Sequence, residues 1–257
     1  KKINLIDAPG YFDFEGEAVA AYELCDSALI VLGANGTVPV GAQKAYDYCA
    51  KHDIPRAFVV NQVDKEHADY MKTVAALGTK YTSAVTAVQM PIMKEGKFAG
   101  MIDIIGMKAY LFDGTNVKES DIPAECADDA EALRETLVEN AAGNDEELME
   151  KFFDGQELST QDILKGLREG ILQGGIAPVF VSAAAPNIGV KELMDEIVML
   201  MPNAAEMPDA EALDASGNPV TLKIDPAAPF VAHVLKTIAD PFVGKLSVIK
   251  IVQGTLK

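Results

Sequence analysis

Four short apolar runs punctuate the chain, at residues 3–6, 28–32, 57–60 and 179–181. Each is rich in Ile, Val, Leu or Phe and has the length of a strand buried on both faces. Residues 15–25 and 41–52 lie between them and carry apolar side chains at helical spacing, and 190–201 follows the last run in the same way. This alternation predicts an α/β fold with a parallel sheet. The interval from Asp64 to Pro178 is too long for one crossover. Within it, 88–93, 98–105 and 107–112 read as strands separated by Gly96, Gly100 and Gly106, and 126–140 reads as a helix. Two more helices open with capping-box patterns, Asn144 ahead of Glu147 and Ser159 ahead of Asp162. These elements predict an inserted α+β subdomain at about 85–175, within a first domain spanning 1–201. Its acidic stretch Asp145-Glu146-Glu147 reads most simply as a solvated helix face.

From 202 to 228 the chain turns to Pro, Ala, Asp and Glu around Gly217-Asn218, the composition of a linker with turns. Beyond it, 229–238 and 245–252 are strand-like, and 229–257 reads as the start of an all-β domain. The chain has no initiator Met and opens inside an apolar run, so it is read as an internal piece of a longer protein.

Composition removes several function classes. With 49% hydrophobic and 24% charged residues, the chain is ordinary for a globular protein. A formal charge of −17 and arginine only at positions 56, 134 and 168 argue against a nucleic-acid groove in this portion. Cys25, Cys49 and Cys126 lack Cys-x-x-Cys spacing, and His52, His67 and His233 are scattered. Reduced thiols are therefore expected, and no zinc site. No apolar run approaches the roughly 18 residues of a membrane span.

The candidate chemistry sits where apolar runs end. Ile6-Asp7-Ala8-Pro9-Gly10, then Asn61-Gln62-Val63-Asp64, then Ser182-Ala183 follow three of them in order. An Asp carboxylate at position 64 can accept two parallel hydrogen bonds from guanine N1–H and N2–H, a donor pair that adenine lacks. Asn61 would tie the base-reading loops together, and a backbone N–H of Ser182-Ala183 would meet guanine O6. Asp7 would reach Mg²⁺ through a water. The Gly10 N–H, after Pro9, would bond the γ-phosphate at close backbone approach. Each motif alone is read as easily as a turn; the ordered set favours guanine. Gly-x-x-x-x-Gly-Lys-[Ser/Thr] occurs nowhere, and the nearest approach, Gly244-Lys245, continues with Leu246. The chain thus reads as a base pocket without a phosphate loop.

These segments resemble the ribosomal translocase family, elongation factor G and its paralogues. Residues 3–14 are similar to its switch II segment, and Pro55-Arg56 through Asp64 to its base-specificity strand. Gly100-Met101-Ile102-Asp103, Ile122-Pro123 and Leu137-Val138-Glu139 look like its inserted subdomain, as does Glu147-Leu148-Met149-Glu150-Lys151. Ala239-Asp240-Pro241-Phe242-Val243-Gly244-Lys245-Leu246 resembles the opening of its β-barrel second domain.

The resemblance implies a P-loop NTPase-like GTPase domain, GTP or GDP with Mg²⁺, the ribosome as partner and a cytoplasmic setting. Two positions depart from it. Tyr11 stands where the family has a water-orienting His, and a phenol is a poor base at neutral pH. Gln62 replaces the Lys of Asn-Lys-x-Asp, keeping a stem for the base but losing the ammonium. The reading is a GTP-binding, elongation-factor-G-like translation factor that drives a ribosomal step such as translocation. The intact protein is expected to be a GTPase and this portion alone inactive. A ribosome-recycling or tetracycline-protection paralogue is the alternative within the class. A non-hydrolysing regulatory binder is the alternative outside it.

Overall fold

The structure is a computed structural model and describes residues 1–81, 85–114 and 116–256, without the side chain of Phe12. Helix α1 (Glu15–Leu24) is followed by β1 (Ala28–Gly33), α2 (Val40–Lys51), β2 (Arg56–Asn61), α3 (Tyr70–Tyr81) and β3 (Val85–Ala87). Four strands come next: β4 (Gln89–Lys94), β5 (Lys97–Asp103), β6 (Lys108–Asp113) and β7 (Asn116–Ser120). Helices α4 (Ala124–Ala142), α5 (Glu146–Phe153) and α6 (Thr160–Leu172) lead to β8 (Ala177–Val181) and α7 (Val190–Leu200). The remaining strands are β9 (Ala210–Leu213), β10 (Pro219–Leu222), β11 (Val231–Asp240) and β12 (Gly244–Gln253). The chain divides into two units, Lys1–Ile3 with Ser27–Pro202, and Asn4–Asp26 with Asn203–Lys257.

The first unit holds a parallel sheet in the order β1-β2-β8-β3, as the alternation of apolar runs predicts. All five residues of β8 and the first five of β2 are buried, so these strands are covered on both faces. β1 departs from that expectation: its burial alternates, and Val31 is 60% exposed. The reason is position, since among the described residues β1 pairs only with β2 and stands at the sheet edge. Four antiparallel strands form a second sheet in the order β4-β5-β6-β7, joined to the first. The Val88 N–H bonds Val179 O, and Val88 O accepts from the Ile104 N–H at 3.0 Å. Gln89 reinforces the junction: its Oε1 accepts from the Val181 N–H and its carbonyl from the Tyr70 hydroxyl. Both sheets and their helices share one apolar core, from Ile30 to Met201.

Several local details differ from the sequence expectation. Residues 3–6 form no strand; residues 1–10 have no regular structure, and Leu5 is 70% exposed. An apolar run becomes a strand only where an edge supplies hydrogen-bond partners, and among the described residues these pair with none. Gly100 does not separate strands but lies inside β5. A Cβ there would meet Tyr110 O at 2.5 Å, so glycine allows β5 and β6 their close approach. The cap of α5 is Asp145, not Asn144, and accepts from the Leu148 N–H, whereas Ser159 and Asp162 form the expected capping box of α6. Helix α3 and strands β3 and β7 are additions to the sequence reading.

In the second unit, the segment read as a linker contains an antiparallel hairpin, β9–β10. Its turn is built by Asp214, whose Oδ1 accepts from the Ser216 and Asn218 N–H groups. β11 and β12 form a longer hairpin, closed by Asp240 Oδ1 accepting from Phe242 and Val243. Glu17 of α1 pairs with Lys236, and Asp26 with Lys250 at 2.7 Å. Among the described residues, no helix is long and apolar enough to cross a membrane.

Candidate functional site

The carboxyl ends of parallel strands are where open α/β sheets place ligands, because the loops there are free of the ladder and helix N-termini point outward. In the first unit, β1 ends at Gly33, β2 at Asn61 and β8 at Val181, followed by Ser182. Asn61 lies opposite Gly33 in the register, and the Ser182 N–H continues the ladder to Val60 O at 3.0 Å. Three loops therefore leave one edge of the sheet side by side.

Asn61 joins two of them. Its Oδ1 accepts from the Gln62 N–H at 2.8 Å, the Ser182 hydroxyl at 3.2 Å and the Ala184 N–H at 2.9 Å. The third loop is tied by main chain: Ala34 N–H donates to Asn61 O, and Asp69 N–H to Ala34 O. The sequence reading assigned Asn61 this tying role; it missed Ala184 and the Gly33-Ala34 strand end. An Asn at a strand end signals a turn, but its partner more than a hundred positions away carries no sequence mark.

Gln62 occupies the left-handed region at φ 62°. That twist lets the chain reverse immediately after β2, and Lys65 N–H closes the turn onto Gln62 O. The Gln62 Oε1 lies 3.3 Å from where a Cβ on Gly33 would sit, so its amide lies over the end of β1. Val63 is buried and anchors the loop.

Asp64 follows with its side chain 22% exposed and its Oδ2 3.8 Å from Lys65 Nζ. Its Oδ1 is buried and has no hydrogen-bond partner among the described residues. A buried carboxylate oxygen left unmatched is costly, and a native protein that keeps one needs a reason. A ligand N–H would satisfy it.

On the β8 side, Ser182 and Ala183 are buried. Their N–H groups are committed to Val60 O and Ile188 O, and Ile188 returns an N–H to Ala183 O. The structure thus spends inside the protein the donors that the sequence reading offered to guanine O6. Ser182 and Ala183 are packed inside, and the Ala184 N–H is held by Asn61.

Asp7, Pro9, Gly10 and Tyr11 belong to the second unit. All four are exposed, Tyr11 at 80%, and a Cβ on Gly10 would meet nothing within 4 Å. Tyr11 O accepts from the Phe14 N–H at 3.0 Å as the chain enters a 3₁₀ turn at Phe12–Phe14. Among the described residues, no group of three or more His, Cys, Asp or Glu side chains could hold a metal by itself.

The family described as the elongation factor Tu GTP binding domain matches residues 1–203. The elongation factor G of Ureaplasma urealyticum serovar 10 is 37% identical over 258 aligned positions, covering 99% of this chain and 37% of that protein. The elongation factor G of Ureaplasma parvum serovar 3 is similar to the same degree and extent. The chain thus spans little more than a third of the length of these curated relatives. A crystal structure of a protein from Thermus thermophilus matches 98% of this chain and 35% of its own, with a TM-score of 0.83 at 28% identity. The matching region contains both sheets and all three strand-end loops, and on that match the chain belongs to the family of the elongation factor Tu GTP-binding domain.

Proposed function

We propose that the loops at the ends of β2 and β8 read guanine, and that the protein is a GTP-binding translation factor of the elongation factor G kind. One observation carries this reading: Asp64 Oδ1 is buried without a partner, in a loop braced by Asn61. Guanine N1–H and N2–H would supply a matched pair of donors to that carboxylate. Gln62 would lie along the base, and Ser182 and Ala183 would wall it.

Asp7, Pro9 and Gly10 are assigned to the phosphate end on the strength of the Asp-x-Pro-Gly pattern. Mg²⁺ dehydrates reluctantly and is commonly held by phosphates and few protein ligands, so a single Asp7 acting through water suits it. In the intact protein, GTP hydrolysis would drive a ribosomal step such as translocation in the cytoplasm. Residues 229–257 are read as the start of a β-barrel domain. A second reading, a binder that uses nucleotide without hydrolysing it, is favoured by Tyr11 at the water-orienting position.

The test is Asp64→Asn in the intact protein. The new amide donates where xanthine offers a carbonyl, so preference should move from GTP towards xanthosine triphosphate in a competition titration. An unchanged preference for GTP overturns the assignment.

A further inference from the structure

Away from the base-reading loops, a carboxyl group of α7 and one of β5 lie within electrostatic reach of each other. Glu196 on α7 has a buried Oε2 with no hydrogen-bond partner among the described residues. The charges acting on it are Asp103 on β5 and its own neighbour Asp195, both acidic. Asp195 is engaged at the surface by Lys191, 3.2 Å away. Asp103 is folded onto its own turn: Oδ1 accepts from the Ile105 N–H at 2.8 Å, and a Cβ on Gly106 would lie 2.6 Å from Oδ2. Arg134 on α4 acts on Asp103, but its Nη1 donates to the carbonyls of Ile104 and Ile105. Tyr110 on β6 is within electrostatic reach of both carboxyls, of Glu119 on β7 and of Lys108.

We propose that Glu196 is a proton-dependent latch, holding α7 against the β5–β6 turn while neutral and releasing it once ionised beside Asp103. Neutral, the side chain is a small polar group at a packed seam. Ionised, it is a partly buried charge on which the like charge of Asp103 acts, while Arg168, the cation that α6 brings to α7, donates to Met199 O. Burial, with Asp103 and then Asp195 adding to it, pushes the Glu196 carboxyl up to about 8, and burial also raises Asp103.

The latch reaches the loop before α7. A Cβ on Gly189, at the start of the helix, would lie 3.1 Å from Phe98 and 3.4 Å from Met101 of β5. Ile188, one residue earlier, exchanges two backbone hydrogen bonds with Ala183. Loosening α7 therefore loosens the 183–188 loop.

The sign follows from linkage. Glu196 is an acid whose pKa is higher when latched than when free in water, so the latch is fully stabilised below the free value. It weakens as pH rises through that range and levels off above about 8. Each pH unit inside that window corresponds to up to about a tenfold change in the opening equilibrium.

Hydrogen–deuterium exchange of the intact protein, corrected for intrinsic rates, reads this without any nucleotide. Between pH 5 and pH 8, peptides covering 183–200 should lose protection by about tenfold or more relative to peptides of α6. Glu196→Gln should flatten that rise. Asp103→Asn, which keeps an acceptor for the Ile105 N–H, should lower the pH at which it levels off. A constant ratio in the unmodified protein overturns the proposal, as does a rise that persists in Glu196→Gln. An Asp103→Asn profile that matches the unmodified one overturns it equally, including where Glu196→Gln fails to fold.

Discussion

Arg56 shows how much one side chain can hold at the foot of a sheet. It is buried; Nη2 donates to the Tyr46 hydroxyl at 3.2 Å and to Gly174 O at 3.1 Å, while its guanidinium lies 4.3 Å from the Tyr46 ring centre. Tyr46 stacks in turn on Tyr81, with ring centres 3.9 Å apart. Arg56→Ala would leave these acceptors and the ring face without their partner. It should lower unfolding stability by about 2–4 kcal/mol in a urea titration. Arg56→Lys should recover only part of it, because an ammonium cannot serve a forked arrangement. In the proposed reading Tyr11 serves function rather than stability. If it replaces a water-orienting His, Tyr11→His in the intact protein should raise ribosome-stimulated GTP turnover by about tenfold or more. A fall in turnover would give Tyr11 a role of its own. The motif residues of the β2 and β8 loops were legible in the sequence because their chemistry is carried by residue type and order. Arg56 was not, since Gly174 is 118 positions away.

Elements tell a different story, in which glycines separate helix propensity from packing. Gly78 lies in α3 with open space where a Cβ would go, so Gly78→Ala should stabilise by about 0.5–1 kcal/mol. Gly166 lies in α6, where a Cβ would fall 2.2 Å from Ala141 O of α4. Gly166→Ala must push two backbones apart and should destabilise despite the same gain in propensity. Thermal unfolding of the two variants side by side checks the opposite signs. The sequence announced α6 through Ser159 and Asp162, because a capping box is a local interaction. It hid α3, whose buried positions Tyr70, Thr73, Leu77 and Tyr81 follow helical spacing but mix polar and apolar types. It also hid β7, an edge strand with four of five residues exposed and no apolar alternation to read.

At the scale of the molecule, the two units differ sharply in how they are held. The buried apolar residues run from Ala28 to Met201 in the first unit, while among the described residues of the second only Ala18 and Ala21 are buried. Its hairpins rest on backbone ladders, turns and ion pairs, which open at low cost. Limited proteolysis should therefore cut within 203–230 before it cuts anywhere in 85–200, and early cleavage inside the core sheets would contradict that ranking. A net charge of −17 adds self-repulsion throughout. Raising ionic strength from about 0.01 M to 0.15 M shortens the screening length from about 30 Å to about 8 Å and should raise the melting temperature.

What the sequence determined by itself was the class of the fold, the strand ends bearing Asn61, Asp64 and Ser182, and the turn at Gly217-Asn218. Periodicity, turn chemistry and residue type are properties of neighbours along the chain. Tertiary structure alone decided the rest. Residues 3–6 have the composition of a strand yet form none, because a strand exists only against a partner's hydrogen bonds. The N–H groups of Ser182 and Ala183 were open to a ligand on paper and are taken by Val60 and Ile188 in space. Nothing in the sequence marks Glu196, yet the fold buries its Oε2 and brings it under the influence of Asp103, on a strand more than ninety residues upstream. Burial and charge proximity are set by which distant segments meet, and no local pattern encodes that meeting.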